Sequence, residues 1–217
     1  MADQKTLLAY GDSNTHGTMP MASIADRQRY GRAQRWPGVA QAALGDSWHV
    51  VEEGHPGRTS VFDDPTAGPH RNGLLVLPSL LESHMPLDIV AIMIGTNDLK
   101  ACHSMSTLDI ALAVERLVLS VLTSACGPGY GRPDVLLVAP VPIEERGWLA
   151  EMFEGGAEKS RRLGAYLAEV ADRNGVGFLD AGEVATVDPD EGIHLGPDAQ
   201  AAIGRAVAAA VIERSAR

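Results

Sequence analysis

The 217-residue chain has little of several things, and each shortage excludes something. Its two cysteines, Cys102 and Cys126, form no CxxC pair and are too few for a disulfide scaffold. Basic residues are outnumbered by acidic ones, 18 to 28, for a net charge of −10. Such a surface repels phosphate backbones, so neither nucleic acid nor an anionic membrane is expected as a partner. No apolar run approaches the roughly 20 residues that span a bilayer. The opening Met1–Lys5 lacks the charged-then-apolar pattern of an export signal, so the expected location is the cytoplasm. None of the seven histidines has metal-ligand spacing with another His or Cys, and no metal or other cofactor is expected. What is present, 45% apolar and 21% charged residues, is the composition of a globular chain, read as one domain over 1–217.

Short β-rich runs alternate with longer helical patterns. Strands are expected at Lys5–Tyr10, Trp48–Glu52, Asp88–Gly95, Asp134–Ala139 and Gly177–Asp180. The third contains Ile-Val-Ala-Ile-Met-Ile, a continuous apolar run suited to a strand covered on both faces. Helices are expected at Trp36–Leu44, Asn72–His84, Ser106–Ala125, Glu158–Asn174 and Pro197–Arg214. Pro78 weakens the second of these. Ser106 with Asp109 resembles a capping box for the third, whose Leu108, Ala111, Leu112, Leu119 and Leu122 fall at helical spacing. Strand then helix, repeated, predicts an α/β fold: a five-stranded parallel sheet between two helical layers, doubly wound. Such sheets hold ligands beyond the C-terminal ends of their strands.

The loops at those ends are polar and contain glycine. They are Gly11-Asp12-Ser13-Asn14-Thr15, Glu53-Gly54-His55-Pro56-Gly57-Arg58-Thr59, Gly95-Thr96-Asn97-Asp98 and, before the last helix, Asp190-Glu191-Gly192-Ile193-His194. Together they contain the parts of an acyl-transfer site. Ser13 can be the nucleophile and His194 its general base. A carboxylate three residues earlier, Glu191, has the spacing to orient the imidazole, whereas Asp190 is one residue too far. The N–H groups of Ser13 and Gly57 and the Asn97 amide can form an oxyanion hole. Asp12 and Asp98 are read as supports of their loops.

These four blocks, in this order, resemble those of the SGNH (GDSL) hydrolase family. Ile94–Asp98, Asp109–Leu112 and Phe153–Gly156 are most similar to its bacterial arylesterase and acyltransferase branch, which includes perhydrolases. The resemblance implies a flavodoxin-like sheet, serine esterase activity on short acyl or aryl esters, no metal, and a homo-oligomer. Two positions depart from the family pattern. Glu191 stands where Asp is usual, which leaves Glu191 or Asp190 open as the orienting acid. Asn14 stands where Leu is common, and is read as a neutral change.

Gly127–Gly131 follows a helix and leads into a strand, the reverse of a phosphate-binding loop. His16, His55, His70, His84 and His103 are read as surface or pocket-lining residues, and His49 as a residue of the second strand. The segments Thr18–Arg35 and Glu144–Gly156 carry apolar side chains and are expected to roof the site and make subunit contacts. The expected partner is a small-molecule ester, with water, an alcohol or hydrogen peroxide as acyl acceptor. Two other readings stay open: a carbohydrate-ester deacetylase or lysophospholipase on the same residues, and a non-catalytic binding protein.

Overall fold

A computed structural model describes residues 4–216. The reading of the N-terminus as lacking an export signal rests partly on Met1–Asp3, outside the described residues. Five strands, β1 (Lys5–Gly11), β2 (Trp48–Gly54), β3 (Ile89–Met93), β4 (Asp134–Ala139) and β5 (Gly177–Asp180), form one sheet in the order β2-β1-β3-β4-β5. Every neighbouring pair is parallel. Around it lie a one-turn helix α1 (Ser13–His16) and five longer ones: α2 (Trp36–Leu44), α3 (Gly73–His84), α4 (Thr107–Leu122), α5 (Gly156–Asn174) and α6 (Pro197–Ser215). The expected flavodoxin-like architecture is therefore present.

The apolar run of β3 explains its central place. All five of its residues are buried, because helices cover both faces. Val90 and Ile92 pack with Leu117, Val121 and Leu167 of α4 and α5, while Ile89, Ala91 and Met93 pack with Trp36, Ile203 and Val207 of α2 and α6. Each large apolar side chain so buried contributes about 1.5–3 kcal/mol relative to exposure. Strand β2 is at the sheet edge, so its residues alternate: Trp48 and Val50 are buried and His49 is exposed.

Element ends differ from expectation by a few residues, and the apolar residues noted along α4 divide between buried and exposed. Ser106 caps α4 with Asp109 as a full capping box. Its buried side is Ile110, Val114, Leu117, Val118 and Val121, whereas Leu108 and Leu112 are exposed. The helix is apolar on more than one side, so spacing alone does not choose the face that meets the sheet. Pro78 lies inside α3, where the burial of Leu77 and Leu81 outweighs the missing backbone hydrogen bond.

The strand order reverses between β1 and β3, so their crossovers leave in opposite directions and open a crevice beyond the strand ends. The loops holding Ser13 and Asn97 follow these two strands.

Candidate active site

Strand β1 ends at Gly11 and the chain turns directly into α1, with Ser13 as its first residue. Asp12 makes this turn, its carboxylate accepting the Asn14 N–H at 2.9 Å. Burial pushes the Asp12 carboxyl above the usual range, against the Asn14 N–H and the nearby His194. Asn14 is not a neutral change. Its side-chain amide donates to the Ile193 carbonyl at 3.2 Å, and its own carbonyl accepts from the buried Gln200 amide at 3.0 Å. It thus ties the Ser13 loop to the loop carrying His194.

That second loop is built on Asp188. Its carboxylate accepts the N–H groups of Asp190 and Glu191, both at 3.0 Å, and its backbone N–H donates to the His194 carbonyl at 2.8 Å. Gly192 stands at φ +87°, and a Cβ there would meet the Glu144 carbonyl oxygen at 2.2 Å, so only glycine fits. The loop folds Glu191 back onto His194. One carboxylate oxygen is 2.5 Å from Nδ1 of the ring, and the other accepts the N–H groups of His194 at 2.7 Å and Ile193 at 3.0 Å. Asp190 is exposed.

Burial by itself would raise the Glu191 carboxyl. The hydrogen bond and charge of His194, with the two backbone donors, outweigh burial and hold it below the ordinary glutamate range. An ionised carboxylate only accepts, so the neutral ring carries its proton on Nδ1 and leaves the Nε2 lone pair free.

The opposite wall is braced as tightly. His55–Arg58 is a Pro-Gly turn closed by the Arg58 N–H on the His55 carbonyl, with Gly57 at φ +77° as a type II turn demands. Asn97 donates one amide hydrogen to the Arg58 carbonyl at 3.1 Å, which leaves its second hydrogen for a ligand. Asp98 accepts the Ser60 N–H at 3.0 Å and the Ser60 hydroxyl, joining the same two loops again. Its burial, unrelieved by any cation and reinforced by Asp12, pushes its carboxyl up to about 7 despite the Ser60 bonds. Arg58, missed at the sequence level, is buried with its guanidinium on the carbonyls of Gly11 and Glu53 and over the Tyr10 ring. No local pattern marks it, because its partners come from other segments.

Ser13, Gly57, Asn97 and His194 all line one cavity of about 520 Å³. Both long inserts contribute to it, through Met21 and Ile24 on one side and Trp148, Met152 and Phe153 on the other. The Trp148 indole N–H donates to the Met21 carbonyl at 2.9 Å and links them. Of the other histidines, His16 and His55 line the cavity; His84 instead pairs with Glu53 at 2.8 Å and His103 stacks near Phe62. Among the described residues, no three His, Cys, Asp or Glu side chains gather to hold a metal ion, and no helix is long and apolar enough to cross a membrane.

The sequence profile of a family described as GDSL-like lipase/acylhydrolase matches residues 9–202. The chain belongs to this family. Its likeness to solved GDSL-like hydrolases extends to the whole fold. The native aryl esterase of M. smegmatis is 42% identical, with a TM-score of 0.92 over 96% of this chain and 99% of that one. A carbohydrate acetylesterase from Sinorhizobium meliloti is 40% identical, with a TM-score of 0.92 over 97% and 100%. A G-D-S-L lipolytic protein from Veillonella parvula, 13% identical over 98% and 99% at TM-score 0.68, shares the fold alone. No curated protein matches the chain. As a GDSL-like acylhydrolase with such neighbours, the chain is a carboxylic ester hydrolase.

Proposed function

We propose that this hydrolase cleaves short-chain acyl and aryl esters through an acyl-Ser13 intermediate. The observation that carries the proposal is the His194–Glu191 pair, buried and hydrogen-bonded, on the cavity that Ser13 and Asn97 also line. Ser13 Oγ attacks the acyl carbonyl carbon while His194 Nε2 takes the hydroxyl proton. Glu191 holds the ring and offsets its positive charge. The oxyanion is met by the N–H groups of Ser13 and Gly57 and the second Asn97 amide hydrogen. Collapse breaks the ester bond, and the leaving alkoxide takes the proton from His194. Water, deprotonated in turn by His194, then attacks the acyl carbonyl carbon; the bond to Ser13 Oγ breaks, Oγ takes the proton back from His194, and the acid is released.

An alcohol or hydrogen peroxide in place of that water would give a new ester or a peracid. The apolar side chains of both inserts beside Ser13 support such transfer. The same inserts support a homo-oligomer, since Ile24 and Met152 leave apolar surface exposed at the cavity mouth. Two free thiols, Cys102 and Cys126, support a cytoplasmic location. We read the whole as one domain with a small-molecule ester as its partner. A carbohydrate acetyl ester is the second reading, favoured by the 40% identity to the Sinorhizobium meliloti enzyme.

A panel of p-nitrophenyl acetate, butyrate and octanoate with acetylated sugars tests this. Wild type is expected to turn over the short p-nitrophenyl esters fastest, and Ser13→Ala to lose nearly all activity. Equal turnover by Ser13→Ala would overturn the assignment.

A further inference from the structure

The cavity beside Ser13 has a charge opposite to that of the protein. The whole chain carries 28 acidic and 18 basic residues. The cavity is lined by Arg27, Arg29, Arg71 and Lys100 but by a single carboxylate, Asp64. That carboxylate is already engaged: it holds Lys100 at 2.9 Å and accepts the N–H groups of Thr66 and Ala67, both at 2.9 Å. Among the described residues, none of the three arginines has a carboxylate within ion-pair distance.

Arg71 is placed most tellingly. Its Nη1 lies 3.0 Å from His55 Nδ1, and its Nε is buried without a hydrogen-bond partner. It packs beside the oxyanion turn, since a Cβ on Gly57 would meet Arg71 Nε at 3.3 Å. Burial pulls the guanidinium below its ordinary range. Asp64 opposes that fall, while the charges of Arg27 and Arg58 add to it. His55 does not offset this charge: burial and the arginines Arg71 and Arg58 push it down to about 4, so it is neutral at pH 7. A partly buried guanidinium among other cations, with no carboxylate paired to it, is a poor arrangement by itself and a good one around an anion. The other wall, with Trp148, Met152 and Phe153, is apolar.

We infer that the preferred substrates are esters bearing an anionic group, a carboxylate or a phosphate, which Arg71 and Arg27 bind while the apolar wall takes the rest of the molecule. This rests on the esterase reading above and narrows its substrate class.

The test compares charged esters with neutral twins. The charged probes are 4-acetoxybenzoate, 4-acetoxyphenyl phosphate and monoethyl succinate; their twins are methyl 4-acetoxybenzoate, phenyl acetate and diethyl succinate. The readout is the charged-to-neutral ratio of kcat/KM, so a general loss of activity in a variant cancels. For at least one pair, raising the salt from about 0.02 M to about 0.5 M should lower this ratio about tenfold. Arg71→Gln or Arg27→Gln should lower it about tenfold at low salt. The separate Arg27→Gln measurement, at an exposed position, keeps the test valid if Arg71→Gln does not fold. The carboxylate and phosphate probes distinguish the two sources of the charge. Ratios that ignore both salt and the substitutions for every pair would overturn the inference. In that case, continued cleavage of the neutral twins would leave the esterase reading standing. No cleavage of any ester, with no reaction at Ser13, would bring down both.

Discussion

Two loop systems face each other across the cavity, and each contains a buried carboxylate. On one side Glu191 meets the imidazole of His194 and two backbone N–H groups, and is held below the ordinary glutamate range. On the other side Asp98 meets Ser60 and its own backbone N–H, has Asp12 nearby, and is pushed up to about 7. Asp98 is the more deeply buried of the two, so the difference lies both in burial and in the partner: an ionisable ring for Glu191 and neutral donors for Asp98. Glu191 is suited to holding a charge opposite a forming imidazolium. Asp98 is suited to fastening the Asn97 and Gly57 loops together.

The first way to break this contrast is to remove the charge from Glu191. Glu191→Gln keeps the size and lets the ring turn to the wrong tautomer, so kcat should fall about 10²–10⁴-fold with little change in KM. A near-normal kcat would mean that the ring needs no anion. Next in size is Asn97→Ala, which removes a proposed oxyanion donor and one brace to Arg58. It should lower kcat about 10²–10³-fold.

Asp98→Asn sharpens the comparison through pH. A carboxyl raised in the folded state binds more protons there than when unfolded, between its ordinary value and about 7. Its ionisation therefore destabilises the fold as pH rises through that window. Thermal melts from pH 4 to pH 8 should show wild type losing stability relative to Asp98→Asn over this range. Glu191, with its lowered value, acts oppositely: its contribution is present above the ordinary glutamate range and lost as pH falls below it. Parallel melting curves for the two proteins would contradict the account of Asp98. The smallest effect is expected from Asn14→Leu, which leaves the buried Ile193 carbonyl without its donor. A loss of about 1–3 kcal/mol, or several degrees in Tm, should follow in calorimetry.

The sheet and most helices were legible because their signals are local. The apolar run of β3 reflects cover on both faces, and the Ser106–Asp109 box marks the start of α4. The Glu191–His194 spacing was legible for the same reason, since the partners lie three positions apart and touch. The buried face of α4 was not, because several of its sides are apolar and only packing selects one. Nor were the braces of the site. Arg58 reaches back 47 residues to Gly11, Asp98 reaches 38 to Ser60, and Asn14 meets Ile193 across 179. No spacing rule connects such pairs before the sheet has brought the loops together. The charge of the cavity was hidden in the same way, because its cations are scattered between Arg27 and Lys100 in a chain that is acidic overall.

The central claim is that Ser13 is an activated nucleophile, and intact mass after exposure to a fluorophosphonate tests it most directly. Wild type should gain one adduct, mapped to the Gly11–Thr15 peptide, while Ser13→Ala gains none and His194→Ala reacts far more slowly. An unmodified wild type, or an adduct that persists in Ser13→Ala, would contradict the account.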